Sequence, residues 1–254
     1  MESSLPFTNP TRDDAHHDFS LPPSLEHARI TTLPQTAYYI PNFISEEEEQ
    51  VILDKVSSAP KPRWKQLTKR RLQTWPSDLV NNKLLDAPLP AWLENQSSLV
   101  CCRSLLRIPD LSTCSTRVLT KDPTTFSSTN IPRDGTAYWP VVCTVSLGAS
   151  LCLNLYRSKD DGALDPVPAW RILQEPRSLL ITTDQLYTDY LHGIADVEED
   201  VNLTADTVAN WELLRSPDAY ASGRNVRQTR TSLTYRDVLQ VSKVANKLGM
   251  FLKR

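Results

Sequence analysis

The stretch RTSLTYR, residues 230–236, places two arginines six positions apart. On an extended strand, residues 230, 232, 234 and 236 share one face and 231, 233 and 235 the other. The first face reads Arg, Ser, Thr, Arg and the second Thr, Leu, Tyr. Such a strand could lie on a solvated surface. If the first face instead points into a barrel, two guanidiniums there demand carboxylate partners, because an unpaired buried charge is very costly. A dicarboxylate ligand would supply them with two-point geometry. Two further residues suit metal chemistry. Asp134 stands before Gly135, just ahead of a strand pattern in which Val141, Cys143, Val145 and Leu147 alternate with other residues. This is where some metal enzymes carry an H-x-D ligand pair, yet the position two before Asp134 is Pro132. His192 lies in an apolar-flanked L-H-G-I. Taken singly, Asp134 is an ordinary turn residue and His192 an ordinary hydrogen-bonded core histidine.

A second constellation is basic. PRWKQLTKRRLQTWP carries Lys65, Lys69, Arg70 and Arg71 beside Trp64 and Trp75. Charge with aromatic faces suits phosphate contact and base stacking. A solvated loop with core tryptophans reads the same way locally.

The elements that must position these residues follow from pattern. The chain is 40% apolar with a formal charge of −2, which suits one domain with a real core, with or without a tail. A net charge so near zero excludes a general nucleic-acid coat and leaves only a local patch. No apolar run approaches the roughly 18 residues needed to span a bilayer, and the start has no basic and apolar regions of a secretory signal. The five cysteines show no C-x-x-C spacing, so core filler in a reducing compartment, cytoplasmic or nuclear, is expected. Residues 1–33 are polar and aperiodic and read as a disordered tail. A short strand and a helix follow, with Ser45 as N-cap and Glu48 at the capping-box position. LPAWLENQSSLV reads as a second helix. Strands are expected over 140–147, 151–157, 170–174 and 178–183, with a last one in RQTRTSLTYRDV. The acidic stretch 196–216 would repel nucleic acid and should pack elsewhere. Helices first and strands after give an α+β layout with a sandwich or barrel core.

The sequence resembles the AlkB family of iron(II)/2-oxoglutarate dioxygenases, and within it the AlkB homologue six branch. The resemblance is carried by YYIPNFISEEEE, APKPRWKQLTKRRLQTW, DGTAYWPVVCTVSLG, LQEPRSLLITTDQLYTDYLHGI and RTSLTYRDV, in family order. It implies a double-stranded β-helix (jelly-roll) core over residues 34–254 with helices preceding it. The family motif runs N-x-Y, H-x-D, a distal His, then R-x-x-x-x-x-R. The last two are intact at His192 and at Arg230 to Arg236. The Asp of H-x-D matches Asp134, but its His is absent and N-x-Y is nowhere in frame.

The region 100–133 departs from the family and reads as out of frame or aberrant. PTTFSSTNIP, residues 123–132, is a Ser/Thr string where the family usually reads close to PNHVLINEYP, then P-G-x-G-I-x-P-H-x-D-G. Read one base earlier, with TCN codons for both serines, its codons accommodate PNHVLINEYP at all ten positions. The segment is therefore read as the N-x-Y strand translated out of frame, with the Gly-rich turn and the histidine lost before Asp134. A genuine Ser/Thr-rich loop in a degenerate paralogue is the alternative.

The resemblance implies Fe(II) held by two His and one carboxylate, 2-oxoglutarate as co-substrate, and removal of N-methyl groups from nucleic acid as formaldehyde. Residue by residue, it gives Asp134 and His192 to the metal and Arg230 to the distal carboxylate of 2-oxoglutarate. It gives Arg236 to the inner side of the site or to the Asp ligand, and the basic stretch to nucleic acid. With only two ligands iron would be weakly held, and His16, His17 and His27 lie in the polar tail. Two rivals stand beside the demethylase. One is a metal-defective nucleic-acid-binding protein of the same fold, the other a cupin-like binding barrel with no need of the arginine pair.

Overall fold

Alternating apolar residues from Val141 to Leu147 build an inner strand of the larger sheet, and its two faces meet different partners. The structure, a computed structural model, describes residues 23–33, 36–67, 70–85, 87–94, 113–119, 137–157 and 165–242. Its strands are β1 (Ala37–Ile40), β2 (Lys65–Leu67), β3 (Arg70–Trp75), β4 (Leu84–Leu85), β5 (Thr113–Leu119), β6 (Tyr138–Leu147) and β7 (Leu151–Arg157). They continue with β8 (Trp170–Gln174), β9 (Leu179–Thr183), β10 (Tyr190–Gly193), β11 (Glu199–Val201), β12 (Arg224–Val226), β13 (Arg230–Val238) and β14 (Val241–Ser242). The helices are α1 (Glu46–Ser57), α2 (Ala91–Glu94) and α3 (Asp184–Thr188). The strands expected over 140–147, 151–157, 170–174 and 178–183 thus form within two residues of their anticipated ends, and the last one begins at Arg230.

Seven strands make one antiparallel sheet in the order β1-β9-β6-β13-β5-β3-β2, and three make a second, β10-β7-β8. The chain crosses between them from β6 to β7, from β8 to β9 and again from β9 to β10. With the helices α1 and α2 preceding it, this is an α+β double-stranded β-helix, or jelly roll. Beside β13, the place between it and β3 belongs to Thr113–Leu119, a stretch to which sequence pattern assigned no strand. Pro123–Pro132 and Asp134 lie outside the described residues.

The outer face of the large sheet holds Val141, Cys143, Val145, Leu147, Leu233 and Tyr235, packed under Ile52 and Val56 of α1. Each fully buried aliphatic or aromatic side chain there contributes about 1.5–3 kcal/mol. The helix starts where expected: Glu48 N donates to Ser45 Oγ at 3.1 Å and Ser45 N to Glu48 Oε2 at 2.9 Å. Glu49 then ties α1 to the β6–β7 turn, accepting from Gly148 N at 2.8 Å. Gly148 has φ +82°, and a Cβ there would meet the Thr229 carbonyl at 3.0 Å. Only glycine lets the turn approach the residue before Arg230 so closely.

Residues 23–33, which the sequence assigns to the tail, are packed instead. Leu25, Ala28, Ile30 and Leu33 are buried, and Ile30 N donates to Ala37 O at 2.9 Å. Four apolar residues spaced too irregularly to show a period were enough to fasten this segment to β1. The acidic stretch 196–216 packs against the small sheet. Leu203, Val208 and Leu214 join Cys152 and Leu173 in one buried cluster. Asn210 accepts from Leu173 N at 2.9 Å and donates to Leu173 O at 2.8 Å, covering the free edge of β8 as a further strand would.

Candidate co-substrate and metal site

Arg230 is the first residue of β13 and is 4% exposed. Its Nη2 donates to Ser146 Oγ of β6 at 2.7 Å and to Gln174 Oε1 of β8 at 2.9 Å. Ser146 Oγ in turn donates to Gln174 Oε1 at 3.0 Å. These bonds run from the large sheet to the small one, so the guanidinium lies between them. Arg230, Ser232 and Thr234 are all buried, and β13 is in register with β6 through Ser232–Ser146, Thr234–Thr144 and Arg236–Val142. Opposite residues in register project to the same side. The face that reads Arg, Ser, Thr, Arg is therefore the interior face, while Leu233 and Tyr235 pack under α1. At its far end Arg236 is half-buried, with its guanidinium 5.2 Å from the Tyr138 ring centroid.

His192 lies on the facing sheet. β10, β7 and β8 align His192 with Leu155 and Trp170, and Leu151 with Gln174. Because Gln174 points inward to Arg230, the alternation points His192 inward as well. It sits four residues along β7 from that end, about 13 Å by strand rise. Its Nε2 is 2.8 Å from the Leu186 carbonyl of α3. A carbonyl only accepts, so Nε2 carries the proton in this contact and the ring's lone pair is on Nδ1.

The two groups of the family chemistry fare differently. A guanidinium between the sheets, held by neutral acceptors, suits one carboxylate of 2-oxoglutarate. Iron does not fit. Among the described residues no three His, Cys, Asp or Glu converge on a metal position. Beside His192, the only other described histidine, His27, is exposed in the segment before β1.

The register divides the basic stretch between two faces. Arg70 is in line with Leu119, and Leu119 with Arg230, so Arg70 and Arg230 face the same side two strands apart. Lys65, opposite Leu72, shares that side and forms an ion pair with Asp78. This bond holds the Asp78 carboxyl below the usual range. Arg71 points the other way, its guanidinium 4.5 Å from the Trp64 ring centroid, and Arg63 lies 4.2 Å from that of Trp75. Both tryptophans pack on the core under α1. The sequence thus placed Arg71 with Arg70 on a single patch, and the strand's alternation separates them. Lys69 lies outside the described residues. Ser146 and Gln174, which hold Arg230, were not anticipated: a lone Ser and a lone Gln in strands give no sign that they converge from 84 and 56 residues away.

No family model matches the chain. Over 232 residues it is 34% identical to the Danio rerio protein named "Probable RNA/DNA demethylase ALKBH6", a match covering 89% of this chain and 95% of that protein. Among solved structures it is similar to OsALKBH1, with a TM-score of 0.44 and 13% identity over 81% of this chain and 99% of the other. A prolyl-4-hydroxylase from Pseudomonas putida gives a TM-score of 0.43 and 9% identity over 85% and 99%. One-third identity along nearly the whole of both sequences is decisive, and the chain belongs to the AlkB family as an ALKBH6-like member.

Proposed function

We propose that this chain represents an Fe(II)/2-oxoglutarate-dependent oxidative demethylase of nucleic acid whose first iron-ligand histidine was lost with the displaced segment before Asp134. The observation that carries the reading is Arg230, buried between the sheets and aimed through Ser146 and Gln174 at the space that His192 faces. Arg230 would hold the distal carboxylate of 2-oxoglutarate, since its planar fork matches a carboxylate at two points. Arg236 would border the other end of the same face. Iron, when bound in family members, supplies the oxidising chemistry. In this chain Asp134 and His192 are the remaining ligand positions and make no complete set. Arg70 and Lys65, on the face that continues from Arg230, would meet the phosphates of the substrate.

A second reading is favoured by Pro132 standing where the H-x-D histidine belongs: a metal-defective protein that keeps the fold and binds nucleic acid without turnover. Formaldehyde release separates the two. The frame-restored chain, given methylated RNA and DNA oligonucleotides with Fe(II) and 2-oxoglutarate, should release formaldehyde, and Arg230→Ala should abolish it. Binding of the oligonucleotides with no formaldehyde from the restored chain would favour the second reading.

A further inference from the structure

His192 and Arg230 are the two ends of one loop. Residues 194–229 leave β10 directly after Gly193 and arrive at β13 directly before Arg230. Both ends are weakly secured by the sheets themselves. Among the described strands, β10 pairs with β7 alone and is four residues long. Arg230 is in ladder register with Leu119 of β5, while the β6 ladder begins one residue later at Thr231. A short edge strand and a strand end are where protection against local opening is lowest.

One side chain closes the neck of this loop. Arg227, three residues before Arg230, donates from Nη2 to Asp200 Oδ1 at 2.6 Å and from Nε to Asp200 Oδ2 at 3.2 Å. Its Nη1 donates to the carbonyl of Ala195, three residues after His192, and its backbone N donates to Glu198 O at 2.9 Å. The pair is enclosed, with side-chain exposures of 12% for Arg227 and 3% for Asp200. Asp200 Oδ2 accepts also from Asn225 Nδ2 at 3.1 Å and from Cys152 N of β7 at 3.3 Å. β7 is the strand with which β10, the strand of His192, pairs. The clasp therefore joins the chain leaving His192, the chain reaching Arg230 and the strand beneath His192.

We infer that Arg227 is a positioning residue: it fixes where the His192 strand stands relative to the Arg230 strand, and with it the spacing between the metal side and the carboxylate anchor. The inference rests on the co-substrate reading of Arg230. The guanidinium is needed because one group must satisfy both oxygens of Asp200 and a carbonyl at once, which an ammonium on a flexible stem does not reproduce. A merely structural clasp would hold the loop alone; a positioning clasp also holds the strand ends beyond it.

Hydrogen–deuterium exchange on the full 254-residue chain distinguishes these. Arg227→Ala should raise exchange by about tenfold at amides 191–193 and 230–232, outside the loop. Arg171→Ala is the control, because Arg171 anchors the same loop through the carbonyls of Val201 and Asn202. It should loosen residues around 200–210 and leave both strand ends protected. If Arg227→Ala fails to fold, Arg227→Lys carries the test, since it keeps a cation opposite Asp200 and loses the bond to Ala195. Increased exchange at 191–193 and 230–232 in that variant supports the inference. Increased exchange confined to 195–227 overturns it. In the frame-restored chain, Arg227→Ala should also weaken 2-oxoglutarate binding about fivefold. If Arg230→Ala leaves that binding unchanged, the co-substrate reading itself fails. If Arg230→Ala abolishes it and Arg227→Ala does not alter it, the positioning role alone fails.

Discussion

Arg230 of β13 and Gln174 of β8 are joined by a 2.9 Å hydrogen bond that crosses the space between the two sheets. Through Ser146 the same guanidinium is held from its own sheet, so it reaches a ligand already oriented. In the frame-restored chain, Arg230→Ala should raise the 2-oxoglutarate requirement at least tenfold. Lys65→Ala should alter it little, because Lys65 is paired with Asp78 two strands beyond β5. Titrating succinate formation against 2-oxoglutarate measures both, and equal effects would mark Arg230 as structural.

The division of the basic stretch predicts opposite phenotypes for neighbouring arginines. Arg70→Ala should flatten the log–log salt dependence of RNA or DNA binding by roughly 0.7–0.9 per lost phosphate contact and leave stability unchanged. Arg71→Ala should leave the slope alone and lower Tm by about 2–4 °C, since it removes the stack on Trp64. An unaltered slope in the triple variant of Lys69, Arg70 and Arg71 to Ala would return the whole stretch to a solvated surface.

Cys152 is 1% exposed and burial pushes its thiol up to about 11. A folded-state value above the unfolded one stabilises the thiol form at neutral pH and is lost only as pH rises toward that value. Iodoacetamide mapped by mass spectrometry should therefore leave Cys152 unlabelled in the native protein up to about pH 9. It should label Cys152 fully on unfolding. Rapid labelling of the native protein at pH 8 would contradict the packing of residues 196–216 over β7.

Much of the site was legible because a strand's period of two is hard to disguise. RTSLTYR sorted its residues onto two faces correctly, and the runs over 140–147 and 170–174 announced buried strands. What stayed hidden depended on partners distant in sequence. Ser146, Gln174 and Arg230 come from three strands, and no local pattern links them. The split between Arg70 and Arg71 required the register with β5, itself a Thr- and Ser-rich strand in the stretch that resembled nothing. Asn210 escaped notice because covering a strand edge asks only for one amide in the right place.

The displaced segment makes a prediction at the level of nucleic acid. Genomic and transcript sequence behind Pro123–Pro132 should spell PNHVLINEYP or a close relative one base earlier, with a His codon shortly before that of Asp134. A stop codon or an unrelated peptide in that frame would leave the degenerate paralogue as the explanation.

The most direct test sets the 254-residue chain beside its frame-restored form in one assay of iron-dependent succinate formation, with thermal unfolding followed on the same samples. Two remaining ligand positions, Asp134 and His192, do not enforce a facial arrangement around iron. The 254-residue chain should therefore form little or no succinate. Restoring N-x-Y, the Gly-rich turn and the H-x-D histidine should bring succinate formation and cooperative unfolding back together, because one strand supplies both a core layer and the route to the ligand. Iron-dependent succinate formation at full rate from the 254-residue chain would contradict the account.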